Sequence, residues 1–227
     1  MKKRKILIFG NGPSAEVVFQ ILKKLDQYKF VGFTVDKKYI KKKKIFDYTV
    51  YDFNHVVQKF PKKEYDIFIS VGYSNMNLKR EKIYDRIKKL GYKTPNIIDP
   101  SANIPKDLKI GDNNFIMSDV HIHPLVEIGF DNFIWSGAII SHHVKVGNHC
   151  WFTSGSSIAG NTNIKNNCFF GLNSSVTNNI KVGNKVFVGA HSLVSKNLQN
   201  KSVVISPPTT KHKLNSEQFT FFLNNNF

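Results

Sequence analysis

Ile98, Ile104, Ile110, Ile116, Ile122, Ile128, Ile134, Ile140, Val146, Phe152, Ile158, Ile164, Phe170, Val176, Val182, Val188 and Val194 lie six residues apart, and every one is aliphatic or phenylalanine. Four residues after most of these markers stands a smaller side chain: Val120, Val126, Ala138, Val144, Cys150, Ser156, Thr162, Cys168, Ser174 and Ser192. A glycine follows the marker at Gly111, Gly129, Gly147 and Gly183. A period of six matches neither the 3.6 of a helix nor the 2.0 of an isolated strand. It predicts a parallel β-helix in which three short strands make one triangular coil, with about five coils between Ile104 and Val194. Each sixth side chain then points inward and stacks on its counterpart one strand spacing, about 4.8 Å, away. The position four residues on shares that interior and must be small or β-branched.

Working outward, 227 residues of which 41% are hydrophobic can bury a substantial core. No apolar run is long enough for a membrane span. The start MKKRKILIFG is basic, but its apolar run Ile6–Phe9 reads as a first strand rather than a signal peptide. Cys150 and Cys168 sit one coil apart at the same inward position; they read as small buried residues, with a disulfide or metal pair as the alternative. A cytoplasmic protein is expected. The net charge of +17 invites a nucleic-acid reading, but Arg4, Arg80 and Arg86 are the only arginines and the lysines are scattered; no nucleic-acid partner is expected, and the field suits small phosphate-bearing ligands instead. The densest cluster, Lys37, Lys38 and Lys41 to Lys44, reads as a solvated loop or as an attraction to phosphate or a membrane surface.

Residues 4–94 alternate strand and helix: Lys5–Phe9, a helix to about Leu25, Phe30–Val35, a short strand at Tyr48–Tyr51, a helix at Asn54–Phe60, a strand Tyr65–Val71, and a helix Met76–Leu90 capped by Gly91. This predicts a doubly wound unit on a parallel sheet. Gly10-Asn11-Gly12-Pro13-Ser14-Ala15 lies after the first strand and opens a helix, where backbone N–H groups meet an anion. Asp36 ends the second strand, where an acid meets a ribose or a base. The unit is half a dinucleotide fold, so NAD is disfavoured; a structural turn remains an alternative to ligand binding. Among eight histidines, His121, His123, His142, His143 and His149 fall in the middle coils, and His142 and His143 occupy an outward corner. No companion carboxylate or cysteine stands near them, so no metal is expected.

The repeat resembles the left-handed β-helix acyltransferases. Over roughly residues 4–210 the chain resembles bacterial sugar acetyltransferases of the sialic-acid O-acetyltransferase and nucleotide-4-amino-sugar N-acetyltransferase type. The resemblance implies an α/β Rossmann-like domain (residues 1–94) that binds the acceptor, an all-β left-handed parallel β-helix (residues 95–206) and a tail (residues 207–227). It implies acetyl-CoA as co-substrate, no metal, and a homotrimer with sites between subunits. The family's base is a histidine in an Ile-x-His-acid segment; here Ile140-Ser141-His142-His143 places His142 on that base, with His143 where the family has a carboxylate. The acceptor site carries over to Gly10, Asn11, Gly12, Ser14, Asp36, Lys37, Gly72, Tyr73, Asn75 and Trp135, with Ser14 replacing a common histidine and Trp135 an asparagine. Gly155, Gly160, Gly171, Leu172, Gly189 and Ala190 match places along the pantetheine groove; tight corners are an equal reading of the glycines. Lys196 and Lys211 are placed for the 3′-phosphate, and Pro207, Pro208 and Lys211 loosely match the family's ending. The expected activity is N-acetylation of a nucleotide-linked 4-amino sugar for lipopolysaccharide or other surface glycans. Sugar O-acetylation and a non-catalytic sugar-nucleotide scaffold are the alternatives. The Phe-rich tail is expected to cap the last coil, to dock on a neighbouring subunit, or to fray.

Overall fold

In this computed structural model, which describes residues 3–226, the first apolar run becomes strand β1 (Arg4–Phe9), followed by α1 (Pro13–Leu22), β2 (Tyr28–Val35), β3 (Lys44–Ile45), β4 (Tyr48–Asp52), α2 (Phe53–Lys59), β5 (Tyr65–Ile69) and α3 (Leu78–Lys89). The sheet order is β3-β4-β2-β1-β5. Its central pairings are parallel, while β3 pairs antiparallel with β4. The lysine cluster is therefore more structured than the loop predicted: a 3₁₀ turn at Lys37–Tyr39 leads to a hairpin closed by Phe46 and Asp47 at φ 47° and 65°. Two successive positive φ angles match the twist of a tight hairpin, which the sequence disguises by using no glycine.

The hexapeptides fold as expected, into three parallel sheets whose strands are two residues long. The docking face stacks seven strands, from Ile97–Ile98 through Phe115–Ile116, Phe133–Ile134 and Trp151–Phe152 to Val203–Val204. The open face carries His121–Ile122, Ile139–Ile140, Ser157–Ile158, Ser175–Val176 and Leu193–Val194. The lysine face carries Lys109–Ile110, Glu127–Ile128, Lys145–Val146, Asn163–Ile164 and Lys181–Val182. The markers from Ile116 to Val194 fill one interior cluster, in which Phe152 and Phe170 stack at 4.8 Å, one strand spacing apart.

The corners have their own period. Asn113, Asp119, Leu125, Asp131, Gly137, His143, His149, Gly155, Asn161, Asn167, Asn173, Asn179, Lys185 and His191 all have positive φ. The left-handed conformation costs least for Gly and Asn, then Asp and His, which suits the asparagines that hold five of these corners. Asparagines also run as ladders along the lysine/docking edge. Asn148, Asn166 and Asn184 each accept, through Oδ1, from a backbone N–H of the coil before it. The edge glycines belong to this ladder: a Cβ on Gly129 would lie 2.1 Å from Asn148 Oδ1. Cys150 and Cys168 are free and buried, as expected. Their Sγ atoms donate to the carbonyls of Lys165 and Gly183 at 3.2 and 3.1 Å, continuing a second ladder begun by Asn114 and Asn132.

The α/β sheet packs on the docking face. Every eighteenth outward position there is aromatic (Phe115, Phe133, Trp151, Phe169, Phe187), and the first four join Ile6, Ile8, Ala15, Val18, Phe33 and Phe68 in one buried cluster. The adjoining corner column grips α3. Arg80, fully buried, donates to Asp131 Oδ2 at 2.9 Å and to the carbonyls of Asp131 and Cys150, and lies 4.7 Å from the Phe133 ring. His149 Nδ1 meets the same Asp131 oxygen at 2.6 Å, Asn113 bonds Asp131 and the backbone of Ile69, and Asn167 donates to Glu81. His149 thus belongs to this inter-domain contact. Beyond the column, the tail forms helix α4 (Ser216–Asn226), whose described side chains are exposed, so it does not cap the last coil. Phe227 of the predicted tail, like Met1 and Lys2 of the basic start, lies outside the described residues.

Candidate functional site

His142 stands on the edge between the open and lysine faces, where the chain turns after Ile139–Ile140. Its imidazole is exposed and lies against Gly160, the residue at the same place one coil on. A Cβ on Gly160 would fall 2.5 Å from Cε1 and 2.8 Å from Nε2 of His142, so the absence of a side chain there makes the ring's bed. Nδ1 of His142 lies 3.1 Å from Nδ1 of His143, with the rings nearly perpendicular. One nitrogen of the pair donates and the other accepts, which engages Nδ1 and leaves Nε2 for a reacting proton. His143 is at φ 60°, a corner position, so its backbone role explains a histidine there independently of chemistry.

The residues expected to hold pantetheine separate. Gly155, Gly171, Leu172, Gly189 and Ala190 line the docking/open edge, on the other side of the open face from His142, whereas Gly160 underlies His142. Leu172 is 53% exposed, and a Cβ on Gly171 would meet Ala190 N at 2.4 Å, so packing alone already demands glycine at that position. Trp135 occupies the same edge, its ring 5.8 Å from Phe115 and 5.7 Å from Trp151; it is half-buried in the inter-domain cluster.

The expected acceptor residues gather at the C-terminal ends of β1, β2 and β5. Gly10 is fixed by packing: at φ 149° its added Cβ would lie 2.1 Å from Ser70 O. Gly12 and Gly72 border open space, since an added Cβ meets nothing within 4 Å at either. Gly12 precedes α1, with Pro13 and Ser14 in its first turn. Asn11 donates to the Tyr39 carbonyl at 2.7 Å and ties the glycine loop to the 3₁₀ turn that Lys37 begins. Asp36 is not free: Arg86 Nη1 of α3 pairs with it at 2.9 Å, and the guanidinium stacks 4.6 Å from Phe53. That partner was missed in the sequence, where Arg86 reads as one more helix cation. Tyr73 leaves the α/β domain to lie 4.7 Å from Phe169 and 5.4 Å from Trp151, half-exposed. Asn75, Met76 and Asn77 are three consecutive left-handed residues that end this loop. Among the described residues, no hydrogen bond, ion pair or ring contact joins this cleft to His142.

Residues 5–87 match the family model of the PglD N-terminal domain. No curated protein matches the chain. The acetyltransferase domain of PglB from Neisseria gonorrhoeae FA1090 is 19% identical and superposes with a TM-score of 0.81 over 92% of this chain and 100% of that one. Its complex with acetyl coenzyme A gives 19% identity and a TM-score of 0.81 over 93% and 100%. PerB from Caulobacter crescentus, in complex with CoA and GDP-perosamine, is 22% identical with a TM-score of 0.80 over 92% and 97%. Further structures of the Caulobacter perosamine N-acetyltransferase carry a single histidine replaced by asparagine or alanine. These likenesses establish the fold, an α/β domain followed by a left-handed parallel β-helix.

Proposed function

We propose that the protein moves acetyl from acetyl-CoA to the 4-amino group of a nucleotide-linked amino sugar for surface glycan synthesis, working as a homotrimer with His142 as general base. The observation that carries this reading is the exposed imidazole bedded on Gly160 with Nδ1 engaged by His143. The ligands named for PglB and PerB, acetyl coenzyme A, CoA and GDP-perosamine, support the substrate classes.

In this reading the acceptor nitrogen attacks the thioester carbonyl carbon while His142 Nε2 takes its proton. A backbone N–H at the edge stabilises the oxyanion. The C–S bond then breaks, and the imidazolium returns the proton to the CoA sulfur. The pantetheine arm runs along Gly155, Gly171, Leu172, Gly189 and Ala190. The sugar nucleotide sits before Gly12 and Gly72, its base side near Asp36 and Lys37 and its sugar toward Tyr73, Asn75 and Trp135, with the anionic diphosphate at the start of α1 by Asn11 and Ser14. The glycine cleft and His142 lie on different edges of one chain, so a second copy brings one subunit's edge to another's cleft. Ile139 and Leu193, 38% and 63% exposed on the open face, supply apolar surface for that seam. An amine needs less base assistance than a hydroxyl, and His143 offers no permanent negative charge, which favours N- over O-acetylation.

The test is thiol release from acetyl-CoA with a panel of nucleotide-linked 4-amino sugars and their 4-hydroxyl counterparts. Turnover confined to the amino sugars is expected. Turnover of hydroxyl sugars alone overturns the N-acetyl assignment, and nucleotide-sugar binding without any turnover overturns the enzyme reading in favour of a scaffold.

A further inference from the structure

Charge becomes one-sided in the second half of the chain. From Asn132 to Phe227 there are eight lysines, no arginine, and one side-chain carboxylate, Glu217. Lys181, Lys196, Lys201, Lys211 and Lys213 are exposed on the last coil and the connector that leaves it. An open groove of about 650 Å³ is lined by Lys165, Lys181, Gln199 and Asn200. The same end is apolar on its outside. Val203 and Ile205 are 66% and 70% exposed. After Pro207 and Pro208 the chain forms α4, whose Phe219, Phe221, Phe222 and Leu223 are 38%, 71%, 47% and 39% exposed. Phe219, Phe222 and Leu223 fall on one side at helical spacing. An eleven-residue helix is marginal alone in water and draws its stability from a surface it lies on.

We propose that this end of the column, from Val203 through α4, docks on a bilayer surface rich in anionic lipid. Amphipathic insertion and basic attraction are the two signals that together give stable peripheral binding where one alone does not. The phenylalanines enter the acyl boundary, and the lysines and the groove take phosphate headgroups. No helix among the described residues is long and apolar enough to cross a membrane, so α4 lies in the interface. A second copy is a poorer occupant, because it would bring two lysine-rich ends together. Nucleic acid is poorer too: Val203 and Ile205 gain from hydrocarbon and nothing from phosphate. The inference stands independently of acyl transfer.

The full chain is sedimented with vesicles of phosphatidylcholine alone or mixed equally with phosphatidylglycerol. At least tenfold tighter association with the mixed vesicles is expected, weakening as salt rises. A Phe219→Asp, Phe222→Asp variant and a Lys196→Glu, Lys201→Glu variant should each lose most of that association while keeping the wild-type oligomeric state. Equal association with both vesicle types overturns the proposal. So does tighter binding to single-stranded RNA than to mixed vesicles, or a change of oligomeric state in the Phe variant with vesicle binding intact.

Discussion

A methyl group on Gly160 would stand 2.5 Å from Cε1 of His142, so Gly160→Ala must push the imidazole off its bed or distort the coil beneath it. Displacing a base by that much is expected to lower kcat by about tenfold or more while the melting temperature stays within a few degrees; unchanged turnover in Gly160→Ala would separate the ring's position from the chemistry. The neighbouring corner offers a gain-of-function test. His143 is left-handed, a conformation Asp tolerates, so His143→Asp places a carboxylate beside His142 without breaking the turn. An adjacent negative charge favours the imidazolium and raises its pKa. A base works only when neutral, so the acidic limb of the pH–rate profile should move to higher pH, with kcat equal to or above the wild type. At this scale the sequence was only partly legible. The segment Ile140-Ser141-His142-His143 pointed to the imidazole, but Gly160 read as a groove residue because its relation to His142 exists only across coils. The corner role of His143 was hidden because inward markers drew attention away from the left-handed position three residues after each.

Between elements, the decisive contacts are those that fix α3 and the α/β sheet to the column. Arg80 and Asp131 are both fully buried, and removing one partner of such a pair leaves the other charge uncompensated. Arg80→Met is therefore expected to cost about 3–5 kcal/mol, read as a lower urea midpoint, with the two parts protected less against proteolysis between Leu90 and Ile97. A second contact responds to pH. Burial alone would raise the Asp112 carboxyl, but bonds from Lys88, Tyr84 and Thr94 outweigh it and hold the group below the usual carboxylate range. A depressed native pKa contributes stability above the unfolded value, near 4, and loses it as pH falls through the native one. Asp112→Asn should flatten the stability profile on the acid side of about pH 4 and leave its shape near neutrality unchanged. The docking surface was present in the sequence as Phe115, Phe133, Trp151 and Phe169, eighteen residues apart. It escaped a reading in steps of six, because a side chain adjacent to each inward marker is ordinarily solvent-facing.

For the molecule as a whole, the period of six makes the column legible in the sequence, since a slip of one residue would turn every inward side chain out. What it left dark was the assembly. The proposed acceptor cleft lies against the docking face, His142 stands beyond the open face, and nothing in a linear repeat says which copy's cleft meets which edge. Sedimentation should find three copies per particle, and Ile139→Asp together with Leu193→Asp should yield monomers that bind nucleotide sugar yet do not turn over; active monomers would remove the seam from the account. The most direct test of the central claim is the rate of free-thiol release from acetyl-CoA with a nucleotide-linked 4-amino sugar, for wild type and His142→Ala side by side. The account predicts turnover in the wild type and a loss of at least tenfold in kcat, on the scale of general-base catalysis, in a variant that still assembles. Undiminished kcat in His142→Ala would contradict it.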